Sequence, residues 1–373
     1  MQAALTQIVD RVREHAGRRQ RLALRGGATK SFHPWGASPA GDALDLRALS
    51  GVLAYEPSEL VVTALAGTPL AELEALLAEH GQCLAFEPPR FGAGGTVGGM
   101  VAAGLSGPAR ANVGALRDFV LGIEIVNGRG QLLRFGGQVM KNVAGYDVSR
   151  LMAGSWGRLG VITEVSLKVL PVAPAEATLR FDCDQAEALQ LLNTWGGQPL
   201  PLNASCWVED GGQGMLFVRL RGARAAVESA CRAMGGTLQD APNVPGDWQA
   251  CRDQSLPWFT ARAPGDALWR LSVPQTAPVL QLPAGVAAAL VEWHGGLRWV
   301  QAPPEAGDAL RAAAAQTGGS ASLFAADEAG QARADDLFDL QQPALAAIHR
   351  RLSQAFDPDG IFSSPRSASH VQD

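Results

Sequence analysis

Apolar residues in the first part of the chain fall into short runs, with one stretch at helical spacing. Residues 60–64 (LVVTA) are apolar apart from one threonine, which predicts a buried strand. The leucines of residues 70–77 share one helical face, so we expect a helix that Thr68 caps and Gly81 ends. Both elements lie in a glycine-rich stretch of strands and loops that runs to about residue 172.

Two further segments of this stretch have strand patterns. Residues 119–126 and 131–135 flank an Asn-Gly pair and predict a β-hairpin. Residues 161–170 (VITEVSLKVL) alternate well enough to predict a long strand, and two prolines mark its exit.

From about residue 175 the pattern becomes strand, helix, strand, strand, helix, and a looser version follows. The first set is expected near 177–182, 185–195, 204–209, 214–220 and 223–234. The second has strands near 267–273, 296–300 and 321–325 and a helix near 305–317. Two such α+β halves predict a single sheet with helices on one face. A last helix, roughly 335–356, ends at the Asp-Pro-Asp-Gly sequence that follows it.

Composition restricts the class of protein. Of the 373 residues, 47% are hydrophobic and 18% charged, as in a globular chain of two or three domains. A net charge of −5, with no basic run beyond Arg18-Arg19, argues against nucleic-acid binding. Five scattered cysteines without a C-x-x-C pair predict no iron–sulfur cluster or metal site and indicate a reduced, cytoplasmic compartment. The N-terminus lacks a signal peptide and residues 277–291 are too few to cross a bilayer, so no direct membrane span is expected.

Two glycine clusters, residues 25–31 (RGGATKS) and 92–99 (GAGGTVGG), carry the candidate chemistry. The first is not a Walker A loop, because Thr29 stands where a glycine must precede the lysine. The second is not a Rossmann fingerprint, because a Pro-Pro-Arg sequence separates it from any strand. Glycine-rich turns present backbone N–H groups to anions, and a diphosphate needs donors from more than one side. The alternative is that both are merely tight turns in a chain with 43 glycines.

Five segments in fixed order resemble a known family: residues 25–31, 96–108, 114–122, 141–147 and 154–164. Together they resemble the FAD-binding domain of vanillyl-alcohol oxidase, or p-cresol methylhydroxylase (PCMH)-type, flavoproteins. Within that superfamily they are most similar to the short FAD-binding subunits of bacterial glycolate oxidases. The resemblance resumes more weakly at residues 268–274 and 356–362.

The resemblance implies an α+β fold in three parts. A two-subdomain PCMH-type FAD-binding domain would cover residues 1–172, and a smaller α+β cap, or substrate, domain would cover 173–334. A C-terminal helix and tail, 335–373, would return to the FAD domain.

The resemblance also implies which residues bind the cofactor. The set is Arg25, Gly26, Gly27, Ala28, Thr29, Lys30, Ser31, Thr96, Val97, Gly98, Gly99, Ala103, Gly104, Ser106, Gly107, Gly114, Asn142, Gly160, Val161 and Ile162. The loop 141–147 would close over the flavin, with Tyr146 either against the ring or a buried structural phenol. Relatives that attach flavin covalently carry histidine in the first loop; Thr29 occupies that position and His33 is too far along, so non-covalent FAD is expected.

The implied reaction is oxidation of a small 2-hydroxy acid, glycolate, to the keto acid. It needs an arginine for the carboxylate and a base for the hydroxyl proton. Arg270 is the first candidate for the carboxylate-binding arginine and Arg298 the second, and His294 is the candidate base. The six histidines do not cluster, and residues 363–366 depart from the family pattern.

Three hypotheses follow from these departures. The favoured one is an FAD-binding subunit that works with a larger FAD-binding subunit and an iron–sulfur subunit. Such a chain would be cytoplasmic and peripheral at the inner membrane only through its partners. The others are a self-sufficient flavin oxidoreductase on another hydroxy acid and a scaffold subunit that has lost flavin.

Overall fold

The computed structural model describes residues 2–36, 42–137, 147–326 and 343–362. The helices are α1 (Gln2–Arg18), α2 (Leu70–Glu79), α3 (Val97–Ala103), α4 (Arg110–Val113), α5 (Leu116–Phe119), α6 (Val148–Met152), α7 (Gln185–Gly196), α8 (Arg224–Met234), α9 (Val244–Arg252), α10 (Pro257–Thr260), α11 (Gly307–Ala315) and α12 (Pro343–Phe356).

The strands are β1 (Leu22–Arg25), β2 (Asp42–Asp45), β3 (Val52–Glu56), β4 (Val61–Leu65), β5 (Gln82–Cys83), β6 (Val120–Val126), β7 (Leu132–Gly136), β8 (Val161–Lys168), β9 (Leu170–Pro171), β10 (Ala175–Asp182), β11 (Leu202–Asp210), β12 (Gln213–Gly222), β13 (Thr237–Gln239), β14 (Ala267–Ser272), β15 (Leu290–Glu292), β16 (Leu297–Ala302) and β17 (Ser320–Ala325).

These elements form two compact units. Within the described residues, the first unit comprises 2–36, 42–105, 115–137, 147–171 and 343–362, and the second comprises 106–114 and 172–326. The segment 106–114 therefore differs from the sequence-based division, which placed it in the first domain. Its membership is set by contacts far along the chain, since the Trp293 indole donates to Gly107 O at 3.0 Å.

The first unit is built on a five-stranded antiparallel sheet of order β3-β4-β8-β6-β7. The predicted strands at 60–64 and 161–170 are its β4 and β8, and the hairpin predicted around the Asn-Gly pair is β6–β7. A separate parallel pair, β1–β2, and a short antiparallel pair, β5–β9, complete the strands of this unit.

The start of α2 differs from the prediction. The helix begins at Leu70 after Pro69, with no side-chain cap. The Thr68 hydroxyl instead donates to Leu65 O at 2.7 Å and accepts from Gly51 N at 3.0 Å, which closes the turn after β4. Its capping capacity is used there, so the expected Thr68 cap is wrong. At the other end the helix stops at Glu79, and Gly81 follows with a positive φ of 64°.

The C-terminal segment packs on the first unit, as the resemblance implied. Leu22 N donates to Ile361 O at 2.9 Å, and Gly128 N donates to Phe356 O at 2.8 Å. Ile361 and Phe362 belong to the same buried apolar cluster as Ile8 and Val12 of α1.

The second unit has one eight-stranded antiparallel sheet of order β13-β10-β12-β11-β15-β16-β14-β17. This confirms the single sheet that the two α+β halves predicted. Two buried clusters support it, one around Trp207 and one around Trp269. No helix in the described ranges is long and apolar enough to cross a bilayer.

Candidate functional site

Twenty described residues of the first unit line a cleft of about 420 Å³. They come from the end of β1 and the loop after it, from the residues that follow β2 and β4, from α3 and its cap, and from the loop before β8 and the start of β8. Twelve belong to the predicted cofactor-binding set: Arg25, Gly26, Gly27, Ala28, Thr29, Lys30, Ser31, Thr96, Gly98, Gly99, Gly160 and Ile162. The other eight are Leu24, Trp35, Gly36, Leu46, Ala66, Ala102, Trp156 and Gly157.

The two glycine clusters meet at this cleft. A Cβ on Gly27 would lie 1.5 Å from Gly94 O, and a Cβ on Gly26 would lie 2.6 Å from Thr96 Oγ1. Side chains at these two positions would therefore force the turns apart. The glycines allow the backbones of residues 25–31 and 92–99 to touch. The two turns are therefore packed against each other.

Backbone amides of the first loop are available to an anion. Among the described residues, the amides of Gly27, Ala28 and Thr29 donate to no other group, whereas Ser31 N donates to Ala28 O at 3.4 Å. Ala28 has a positive φ of 53°, which turns successive N–H groups toward one side. Arg25 and Lys30 add two positive side chains to the lining. The loop therefore has the donors and charge that a diphosphate requires.

The second cluster is held rigidly against the sheet. Thr96 Oγ1 accepts from Gly99 N at 3.2 Å, which caps α3. Gly98 N donates to Ala66 O at 2.7 Å, and a Cβ on Gly98 would lie 2.6 Å from the Ala66 methyl. Glycine at this position lets α3 approach the end of β4, and so fixes the wall of the cleft.

Aromatic side chains that the sequence reasoning missed form another wall. The Trp156 indole stacks on His33 with a centroid separation of 4.2 Å and an angle of 9°. The Arg158 guanidinium carbon lies 3.9 Å from the Trp35 ring centroid. Burial lowers the pKa of Arg158 to about 10. Trp156 lies in residues 154–164, which resemble the family, and precedes a glycine, but only the tertiary fold brings it to the cleft.

Eight predicted cofactor-binding residues do not line this cleft. Val97, Ala103 and Val161 are buried in the core, and Gly104 ends α3 with a φ of 65°. Ser106, Gly107 and Gly114 belong to the second unit. Asn142, and the predicted catalytic Tyr146, lie outside the described residues.

The two remaining predicted catalytic residues, Arg270 and His294, lie in the second unit near a left-handed turn. Trp293, His294 and Gly295 have consecutive positive φ values of 52°, 53° and 99°. His294 N donates to Ser205 Oγ at 3.0 Å, and His294 Nδ1 lies 2.9 Å from the same oxygen. His294 Nε2 lies 2.6 Å from Asn112 Nδ2, so this nitrogen accepts and the proton is on Nδ1. Burial lowers the pKa of His294 to about 4, so the ring is neutral near pH 7.

Arginines surround this turn. The guanidinium carbons of Arg110 and Arg270 lie 4.3 and 5.2 Å from the centroid of the Trp293 indole. Burial, and then the charge of Arg110, lower the pKa of Arg270 to about 10. Arg298 is wholly buried and donates to Ala277 O at 3.2 Å. Burial also lowers the pKa of Arg298 to about 10.

Comparison with known proteins identifies the family. Residues 3–136 match the family model described as FAD binding domain. The chain is 41% identical to the glycolate oxidase subunit GlcE of Escherichia coli (strain K12) over 360 residues, covering 96% of both chains. The chain belongs to the GlcE family. This confirms the predicted resemblance.

Two further similarities are informative. The chain is 40% identical to the glycolate oxidase subunit GlcD of Bacillus subtilis (strain 168) over 84 residues, 22% of this chain and 18% of that one. Its fold is similar to that of alkyldihydroxyacetonephosphate synthase, with a TM-score of 0.66 over 95% of this chain and 74% of the other at 16% identity. That similarity confirms the predicted fold class.

The family match also confirms FAD as the cofactor, and the cleft fits it. Unpartnered amides and two cationic side chains in the first loop suit a diphosphate. The indoles of Trp35 and Trp156 supply flat apolar surface for a nucleotide ring.

Proposed function

We propose that this chain is an FAD-binding subunit of a glycolate oxidase, which oxidises glycolate to glyoxylate. The observation that carries the proposal is the meeting of two glycine turns at one cleft, in a chain of the GlcE family. FAD, when bound, supplies the two-electron acceptor for oxidation of an alcohol.

The residues of the first unit would hold the cofactor. The amides of Gly27, Ala28 and Thr29 would donate to phosphate oxygens, and Arg25 and Lys30 would balance their charge. The loop carries Thr29 where covalently flavinylated relatives have histidine, so the cofactor would be bound without a covalent link.

The second unit would supply the substrate contacts. Arg270 is the proposed carboxylate-binding residue, because among the described residues its guanidinium donates no hydrogen bond. His294 would accept the hydroxyl proton at Nε2, the nitrogen that now accepts from Asn112. Because Asn112 occupies Nε2, this role requires the substrate hydroxyl to displace the Asn112 amide. The lowered pKa makes His294 a weak base.

The chain would work with partners. The sequence has no C-x-x-C motif, so electrons would leave through a separate iron–sulfur subunit. The similarity to the glycolate oxidase subunit GlcD of Bacillus subtilis supports a larger FAD-binding partner. Such a complex would place the chain in the cytoplasm, peripheral to the inner membrane only through its partners.

Affinity purification of the full chain from its native cell tests the proposal. We expect a flavin absorbance spectrum, co-purification of a larger flavoprotein and an iron–sulfur protein, and glycolate-dependent dye reduction by the complex. A purified chain that oxidises glycolate alone at the full rate would contradict the dependence on partners. A colourless chain that takes up no added FAD would instead favour the flavin-free scaffold.

A further inference from the structure

Two stacked pairs of side chains join the loop after β1 to the loop before β8. The Trp156 indole stacks on the His33 imidazole, with ring centroids 4.2 Å apart and planes within 9° of parallel. Two residues further along each loop, the Arg158 guanidinium carbon lies 3.9 Å from the centroid of the Trp35 ring. Trp35 N also donates to His33 Nδ1 at 3.2 Å. The two pairs therefore fix the position of the Trp156 ring.

One surface of the Trp156 ring faces the cleft. Trp156 is half-buried and lines the cleft, whereas His33 is not among the lining residues, so the lining surface is the one that His33 leaves uncovered. Among the described residues, no second aromatic ring and no cation contacts this indole. Trp35 is the other aromatic residue of the described lining, and it makes a further interaction within the chain besides its stack on Arg158. The surface of Trp156 can therefore receive a further planar group.

The backbone of Trp156 is unusual for a tryptophan. Its φ is 53°, and Gly154, Gly157 and Gly160 in the same loop have φ values of 82°, 75° and 145°. Glycine adopts positive φ values without strain, whereas a bulky side chain adopts them at a cost in free energy. The loop therefore has glycine at three such positions and a large ring at the fourth. Strain of this kind points to a functional role for the side chain that is retained.

The same cleft contains the donors for a diphosphate. The amides of residues 27–29 donate to no other group of the described chain, and the twenty described lining residues include no acidic side chain. FAD carries a planar ring on each side of its diphosphate, adenine on one and isoalloxazine on the other. Such rings gain stacking energy on an aromatic side chain whatever their hydrogen-bond pattern, since each has a π-face. A planar ring of FAD therefore fits the uncovered surface of Trp156.

We propose that the Trp156 indole, supported by His33, is a stacking platform for one of the two planar rings of FAD. His33, Trp156 and the cofactor ring would then form three stacked layers. His33 is a positioning residue, because it acts through Trp156. The platform deepens the proposed function, since it rests on FAD occupying the cleft. The cofactor-binding residues expected from the sequence do not include Trp156.

Removal of the ring from the full, flavin-free chain tests the platform. Trp156→Asn disturbs the backbone least, because asparagine tolerates a positive φ better than most side chains. Dissociation constants are measured for FAD, for ADP, which carries adenine and the diphosphate, and for FMN, which carries isoalloxazine and one phosphate. We expect Trp156→Asn to weaken FAD binding by about five- to 150-fold, the effect of removing an aromatic side chain from under a base.

The two fragments identify which ring lies on the platform. With adenine on Trp156, the variant should weaken ADP binding by the same factor as FAD binding and leave FMN binding unchanged. With isoalloxazine there, FMN binding should weaken, ADP binding should stay unchanged, and the bound flavin should become more fluorescent because the indole no longer quenches it. Either result supports the platform. An equal loss for all three probes, or a loss for FAD alone, would overturn it.

Matched variants separate the ring from the loop that carries it. Trp156→Phe retains a ring and should bind FAD within about threefold of the parent chain. Phe135→Leu removes a half-buried ring of β7 that does not line the cleft, and should bind all three probes like the parent chain. Should Trp156→Asn fail to fold, Trp156→Gly removes the ring at a backbone conformation that glycine adopts freely. Unchanged FAD affinity in either folded ring-deletion variant would overturn the proposal.

FAD uptake by the parent chain separates this proposal from the proposed function. A parent chain that binds FAD, together with variants that bind it equally well, would count against the platform alone. A parent chain that binds no FAD would contradict the proposed flavin-binding function and the platform with it.

Discussion

Replacing Gly27 by alanine adds a single methyl group at the point where the two glycine turns touch. The new Cβ would lie 1.5 Å from Gly94 O, 2.3 Å from its carbonyl carbon and 3.1 Å from Gly95 N. All three neighbours are backbone atoms, so no side-chain rotation can relieve the overlap. The turns must therefore separate.

The size of that separation sets the expected loss of FAD. Reaching 3.0 Å, the lower limit of real Cβ contacts, already requires the turns to move apart by roughly 1.5 Å. An N–H···O bond near 2.9 Å would then lengthen well beyond hydrogen-bond range. Each lost bond to a charged phosphate costs about 1.5–3 kcal/mol. Loss of two such bonds raises the dissociation constant for FAD by about 10²- to 10⁴-fold.

The assay is flavin content after purification, followed by fluorescence titration of the apo chain with FAD. Gly17→Ala is the matched control, because a Cβ on Gly17 meets no atom within 4 Å and the residue lies on α1 of the same unit. We expect the control to bind FAD like the parent chain. Circular dichroism of both variants checks that the fold is retained.

Retention of FAD at the parent affinity by Gly27→Ala would refute the reasoning. The methyl group cannot be accommodated without moving one of the turns. Unchanged affinity would therefore mean that the diphosphate binds at another place, and that the contact between the turns serves only packing.

Three further changes test other parts of the structure. Burial lowers the pKa of His294 from 6.5 to about 4. The contribution of the neutral ring to the free energy of unfolding is therefore complete above pH 6.5 and is lost as the pH falls toward 4. This contribution amounts to about 3 kcal/mol. Urea unfolding at pH 7 and 4.5 should show that the free energy of unfolding falls less on acidification in His294→Gln than in the parent chain. An equal fall in both would contradict the prediction. Asp357 accepts from the amides of Ile361 at 3.0 Å and Phe362 at 2.8 Å. Asp357→Asn leaves one acceptor oxygen, so the free energy of unfolding should fall by about 1–3 kcal/mol, and an unchanged urea midpoint would oppose this. Thr96→Val removes the cap of α3 and should cost about 1 kcal/mol in thermal unfolding, whereas Thr96→Ser should not.

The strands and long helices were predictable because their signals are local. Alternation over residues 204–209 and 214–220 reappears as β11 and β12, each extended by a few residues. The β6–β7 hairpin was predictable for the same reason, although the left-handed residue of its turn is Gly130 and not part of the Asn-Gly pair. Thr68 failed as a cap because its hydroxyl had a competing acceptor at Leu65 O, which no sequence pattern reveals.

In the candidate site, too, only the residues with a local sequence signal could be predicted. The glycines of residues 25–31 and 92–99 could be selected because only glycine permits such close backbone approach, and their sequence is explicit. Trp35 and Trp156 could not be selected, since an aromatic residue in a loop packs in the core as readily as it lines a cleft.

Both candidate sites contain ring side chains on left-handed backbone. Trp156 beside the cleft, and Trp293 and His294 in the second unit, hold positive φ values of 52–53° that glycine would adopt without strain. The chain places glycine at many other left-handed positions, so the backbone geometry alone does not explain these three residues. Their side chains do: one stacks on His33, one holds two guanidiniums, and one links Ser205 to Asn112. At these three positions the left-handed backbone therefore sets the position of a ring that makes a specific contact in a candidate site.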